Sequence, residues 1–197
     1  LLVCILVPSA QAQKLNVLYT NDLHSHLEPL IVPWVSTTRK VGGFANIATL
    51  VKQEKKANPN TVYFDAGDFF AGPYLSLLTK GEAIIDAANY LGLDAACVGN
   101  HEYDYGWENA YKQFERAKYP LLNGNIFVKG TDKLHWPKPY IIKKVNGIRL
   151  GIIGLHEKFA FEDTVAPVMI KGVEVRAEKV YLRKYIQELQ PNTDLII

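Results

Sequence analysis

Hydrophobic and polar positions along the chain change period several times, and each change marks an element. Residues 15–20 form a short strand-like run, and Phe44, Ile47, Ala48 and Val51 then recur at helical spacing with lysines on the opposite side. Residues 61–65 read as a second strand. Ile84, Ala88 and Leu91 give a second amphipathic helix, whose start is expected at the capping box Thr79-x-x-Glu82, and 95–98 is again strand-like. Trp107, Ala110, Tyr111 and Phe114 mark a third helix, followed by a strand at 120–123. Residues 140–144 and 148–155 flank Asn146-Gly147, the pair that most strongly favours a two-residue hairpin turn. Leu182, Tyr185, Ile186 and Leu189 form a last helix that Pro191 stops, ahead of an apolar strand at 194–197. Strands alternating with helices predict parallel βαβ units in an α/β sheet covered on its faces, to which the hairpin adds antiparallel strands.

Composition narrows the class. Of 197 residues, 48% are apolar and 21% charged, which suits a packed domain and excludes collagen-like, low-complexity and disordered chains. The net charge is only +2 and no segment concentrates basic residues, so binding to nucleic acid through bulk charge is not expected. Leu1 to Val7 is an apolar run that leads into Pro8-Ser9-Ala10-Gln11-Ala12, which reads as the end of a secretory signal peptide cleaved after Ala12. Residues 1–12 are thus expected to be a leader remnant and 13–197 the folded portion of a secreted or periplasmic protein. No run approaches the roughly 20 apolar residues of a membrane span. Removal of the leader takes Cys4 with it and leaves Cys97 alone, so neither a disulfide framework nor a cysteine zinc site is expected. With no methionine at its start and an apolar strand at its end, the sequence is expected to be a piece of a longer chain.

Candidate chemistry follows the strands. After the first comes Asn21-Asp22-Leu23-His24-Ser25-His26, after the second Asp65-Ala66-Gly67-Asp68, and after the third Gly99-Asn100-His101-Glu102-Tyr103-Asp104. In a parallel sheet such loops share the carboxyl edge, where ligands collect. Any one of them alone is an ordinary turn or cap; three successive strand ends with metal-type donors point to a metal centre. Asp22 and His24, at i and i+2 of an extended segment, would reach one ion together. Asp68 would place one oxygen on each of two ions, with Gly67 letting the backbone approach closely. Asp65 is expected to stay within its strand. Asn100 would bind through its neutral amide oxygen, leaving a net positive site that attracts an anionic phosphate. His101 beside Asp104 suggests an acid whose carboxylate neighbour favours its charged form, although Asp104 could instead cap the helix near Trp107. His26 is expected to be peripheral, His135 to lie in a polar loop, and His156 to be the one other histidine placed to line the site. Lys80-Gly81-Glu82 reads as a helix start, since no phosphate-loop pattern is present.

These residues resemble a known family. Asp22-x-His24, Gly67-Asp68 and the run Gly99 to Asp104 are similar to the first three motifs of the calcineurin-like metallophosphoesterases, and the segments 19–24 and 98–104 resemble the secreted 5′-nucleotidase, UDP-sugar hydrolase and apyrase branch. The resemblance implies a four-layer α/β/β/α sandwich, here truncated at its C-terminal side. It also implies two divalent ions (Zn, Mn, Co or Mg) held by Asp22, His24, Asp68 and Asn100, with His101 and Asp104 as a catalytic dyad. The implied reaction is hydrolysis of a nucleotide or other small phosphate ester by in-line attack of metal-activated hydroxide. Related hydrolases of cyclic nucleotides or sulfur compounds, and a non-catalytic secreted binding module, are the alternatives. The family's later histidines, in L-x-H-x-G and G-H-x-H segments, have no counterpart here, because no histidine follows His156. These histidines and the family's nucleoside-recognition domain are expected to lie beyond Ile197, and residues 13–197 by themselves are expected to be inactive.

Overall fold

The structure, a computed structural model, describes residues 14–197, so the leader expected at 1–12 lies outside the described residues. Strand β1 (Asn16–Thr20) leads through a small antiparallel hairpin, β2 (Leu30–Val32) and β3 (Ser36–Val41), into helix α1 (Phe44–Ala57) and then β4 (Thr61–Asp65). Helices α2 (Tyr74–Thr79) and α3 (Glu82–Ala88) precede β5 (Ala95–Cys97), and α4 (Trp107–Phe114) precedes β6 (Leu121–Leu122). The strands β1, β4, β5 and β6 pair in that order, all parallel, as the βαβ reading requires. The chain continues through β7 (Ile126–Val128), β8 (Tyr140–Val145), β9 (Ile148–Ile153), α5 (Lys158–Thr164), β10 (Val173–Val175), α6 (Glu178–Leu189) and β11 (Leu195–Ile196). Here β8 and β9 form the expected hairpin, with Asn146 and Gly147 both at positive φ (46° and 91°), and β11 adds parallel to β9.

Successive side chains of β4 enter different cores, because neighbours along a strand point to opposite faces. Tyr63 joins Phe44, Val51, Ile84, Ile85, Ala88 and Phe114 beneath the helices. Val62 joins Ala95, Leu122, Val145, Leu150 and Ile152, between the parallel sheet and the β8–β9–β11 sheet. On the far face of that second sheet, α6 presses Leu189 against Gly151. Helices, sheet, sheet and helix therefore stack in the four layers anticipated from the sequence.

One local expectation fails, while the helix expected before Pro191 forms but buries only part of its apolar face. The box Thr79-x-x-Glu82 does not open a helix: Thr79 ends α2, its hydroxyl donating to the Leu75 carbonyl, and α3 begins after Gly81. Lys80 and Gly81, both at positive φ (49° and 89°), form the break between the two helices. The apolar face of α6 is only half covered, for Tyr185 and Leu189 are buried while Leu182 and Ile186 stay exposed.

Asp94 ties the layers together. Its carboxylate accepts from Lys55 of α1 (2.7 Å), from the Tyr63 amide of β4 (2.8 Å) and pairs with Lys143 of β8 (2.9 Å). Burial raises its pKa, but these partners outweigh that and hold it below the usual carboxylate range. Folding thus favours the charged form, and the resulting stability is full above the unfolded value and lost as pH falls through the lowered folded value. Asp94→Asn should therefore destabilise by about 1–3 kcal/mol at pH 7. Urea unfolding at pH 7 and again at pH 2 checks this; a gap from wild type that does not shrink in acid would show that the charge is not its source.

Candidate metal centre

Because β1, β4 and β5 are neighbours and parallel, the loops after them lie side by side at one edge of the sheet. Backbone bonds join the first two loops: the amides of Asp22, His24 and Ser25 donate to the carbonyls of Gly67, Asp68 and Phe69 at 3.0, 2.9 and 2.9 Å. Close approach is built in by glycine. A Cβ on Gly67 (φ 107°) would sit 2.5 Å from the Gly99 nitrogen, and one on Gly99 would overlap the Asp68 carboxylate.

Asp22 and His24 do meet, but not through the extended geometry expected of them. Both lie in the left-handed region (φ 53° and 41°), as do Ser25 and Asp68 (57° and 63°). The turn brings Asp22 Oδ1 to 3.4 Å from His24 Nε2. Each such non-glycine residue costs on the order of 1 kcal/mol, and strain of this kind gathers where a site dictates backbone direction. The Asn21 amide grips the Asp22 carboxylate and, with His24, keeps its pKa below the ordinary value against the effect of burial.

His24 Nδ1 lies 3.2 Å from the Phe70 carbonyl, which can only accept, so Nδ1 carries the proton and Nε2 offers a lone pair. His101 is arranged alike: Nδ1 meets Asp104 Oδ2 at 2.9 Å and Nε2 is left free. Burial lowers the His101 pKa, but the hydrogen bond and charge of Asp104 outweigh it and the net shift is upward. Asp104 is thus a histidine partner and not a cap, the residue before α4 being Gly106. One donor atom each from His24, Asp68 and His101 lies within 4.8 Å of the others. The His24 nitrogen and the Asp68 carboxylate, each oriented by a second hydrogen bond, fit a divalent cation, and the His101 ring lies beside them as either a third donor or a proton donor. Asn100 lines the same cleft as Asp22, Asp68 and His156.

The remaining histidines separate. His26 is exposed. His156 is buried at the cleft wall, its backbone held on both sides by the Asn125 amide and its Nδ1 donating to the Glu157 carbonyl. His135 lies in the loop expected of it and away from the site, but buried among Tyr103, Trp107, Tyr111 and Trp136, because its chain segment is pinned to Ile126.

Two buried acids support the loops. Asp65 remains in its strand as anticipated, accepting from Thr20 Oγ1 (2.5 Å) and the Gly67 amide (2.9 Å), and burial pushes its carboxyl up to about 7. Glu102, which the sequence reading passed over, is fully buried beneath Asp68 and Gly99. Burial and the nearby Asp68 charge push it up to about 7 against the pull of backbone amides. Its only sequence signal was an acid inside Asn100-His101-Glu102-Tyr103-Asp104 where a surface turn needs none.

The family described as calcineurin-like phosphoesterase matches residues 15–190. Human 5′-nucleotidase is 35% identical over 161 residues, covering 78% of this chain and 28% of that protein. The 5′-nucleotidase of Vibrio cholerae is 33% identical over 193 residues, covering 93% and 33%. The structure of Haemophilus influenzae NAD nucleotidase superposes with a TM-score of 0.79 at 28% identity, covering 92% of this chain and 33% of that one. The chain thus spans a third or less of the length of these relatives.

Proposed function

The chain belongs to the calcineurin-like phosphoesterase family, and from that premise we propose that it carries the metal-binding part of an enzyme that hydrolyses nucleotide phosphate esters in the manner of a 5′-nucleotidase. The observation that supports this best is the convergence of His24 and Asp68 donor atoms at the carboxyl ends of adjacent parallel strands, with Asp22 beside them and a His101 nitrogen within reach of the same point. In this reading Asp22 and His24 would hold one divalent ion, Asn100 a second, and Asp68 would be shared between them. Such ions supply Lewis acidity toward a phosphate oxygen and lower the pKa of a bound water.

The chain's own residues do the rest. His101, whose charged form Asp104 favours, has a ring nitrogen close to His24 and Asp68, where it would steady a phosphate oxygen or give a proton to the departing one. The left-handed loops at Asp22, His24 and Asp68 fix the ligands before substrate arrives, so that little reorganisation is needed. The apolar run ending in Ala10-Gln11-Ala12 supports export of the protein, and among the described residues no helix is long and apolar enough to cross a membrane.

The test is metal removal from the whole natural protein. Treated with chelator and assayed for phosphate release from AMP, ATP and a UDP-sugar, it should lose activity and regain it on addition of Zn, Mn, Co or Mg. Undiminished hydrolysis by metal-free protein would overturn the reading, and the ion that restores most activity would identify the metal.

A further inference from the structure

We propose that Glu102 is a positioning residue that sets the bridging carboxylate of Asp68 relative to Asn100 and His101, an inference that rests on the metal-centre reading above. Its side chain is wholly buried. Oε1 accepts from the amides of Phe69 (2.7 Å) and Phe70 (3.3 Å), and Oε2 from those of Asp68 (3.0 Å) and Gly99 (2.6 Å). Three of these donors belong to the loop after β4 and the fourth to the loop after β5. One carboxylate thus holds both loops.

The donor count explains why the residue is an acid. An ionised carboxylate is acceptor-only, with about four lone-pair sites, and the four N–H groups it meets here favour that form against the burial that raises its pKa. Glutamine has the same shape but only one acceptor oxygen, and its NH2 would face two amide hydrogens whichever way it turned. Taking a carboxylate out of water costs several kcal/mol, and four charge-assisted bonds offset that only when all are made. A space-filling role would not require this.

The clamp acts on the metal site through Asp68. Glu102 holds the Asp68 backbone, whose positive φ of 63° turns its amide inward, while the neighbouring His101 amide donates to Asp68 Oδ1 at 3.0 Å. Backbone and side chain of Asp68 are therefore both referenced to the β5 loop, the loop that carries Asn100 and His101. Glu102 does not itself line the cleft; it acts through the backbone of Asp68 and Gly99, which do, by keeping these donors in register.

The experiment uses Glu102→Gln in the whole natural protein, with binding of Mn and Zn measured by titration calorimetry well below the melting temperature. The metal dissociation constant should rise by roughly 10–100-fold, the range seen when groups that orient metal ligands are removed. Turnover should fall while KM for AMP changes little. A folded variant that binds metal as tightly as wild type would overturn the proposal, since a merely structural role would lower the melting temperature alone. If the variant does not fold, amide hydrogen exchange on the unmodified protein decides: Asp68, Phe69, Phe70 and Gly99 should be protected as one unit, and exchange at open-loop rates would overturn the clamp. A wild-type protein that binds no metal, yet shows those four amides protected, would instead refute the metal-centre reading.

Discussion

Replacing Asp68 should remove bound metal and phosphate-ester hydrolysis together. In the proposed arrangement this one carboxylate serves both ions, and it is also the group around which the loops converge. Its Oδ1 accepts the His101 amide, its carbonyl accepts the His24 amide, and its own amide enters the Glu102 carboxylate. Loss of the side chain would leave Asp22 and His24 of the β1 loop and Asn100 of the β5 loop with no ligand shared between them. Alanine is not the cleanest probe, because the residue sits at φ 63°, a conformation that aspartate and asparagine tolerate better than alanine does. Asp68→Asn keeps the shape and the backbone preference and removes only the charge. Both variants should bring metal content and AMP hydrolysis to background, with Asp68→Asn melting near the metal-free wild type and Asp68→Ala somewhat below it. Elemental analysis beside a phosphate-release assay checks this; an asparagine variant that keeps two ions per chain would remove Asp68 from the bridging role.

The sequence made the frame of this site legible and left its fastening hidden. Parallel strands with helices between them have distinct periods, so β1, β4 and β5 and the polar residues after them could be read directly, and adjacency in the sheet brought the three motifs together. What failed was local conformation. Asp22-x-His24 looks extended on spacing, but the bonds from this loop to Gly67, Asp68 and Phe69 impose left-handed backbone that no period records. Thr79 and Glu82 match a capping pattern by chance, being separated by the Lys80-Gly81 break. Glu102 escaped because three of its four partners lie more than thirty residues earlier, so its role exists only after folding. The strands β2, β7 and β10 are short, β3 is polar and exposed without clean alternation, and β7 and β10 are defined by pairing with each other across more than forty residues.

Replacing His101 separates acid from ligand, and this is where the geometry is most exacting. Its ring lies 4.8 Å from that of His24, nearly perpendicular, and its free Nε2 belongs to the same group of donor atoms as His24 and Asp68. Proximity alone thus suits either a metal ligand or an acid facing a phosphate bound at the metals. The Asp104 contact favours the acid: a carboxylate on Nδ1, which raises the pKa, stabilises a ring protonated on both nitrogens, and a protonated ring has no lone pair for a cation. His101→Ala should accordingly keep its metal and lower turnover by roughly 10²–10⁴-fold, the usual contribution of a positioned general acid. The pH dependence carries the sign. An acid must be protonated to act, so wild-type turnover should fall as pH rises through the elevated His101 value. Asp104→Asn removes the group that elevates it, so the same fall should come at lower pH. Metal analysis with steady-state kinetics across pH decides between the roles: loss of both ions in His101→Ala would make His101 a ligand, and an unmoved alkaline limb in Asp104→Asn would separate Asp104 from the reaction.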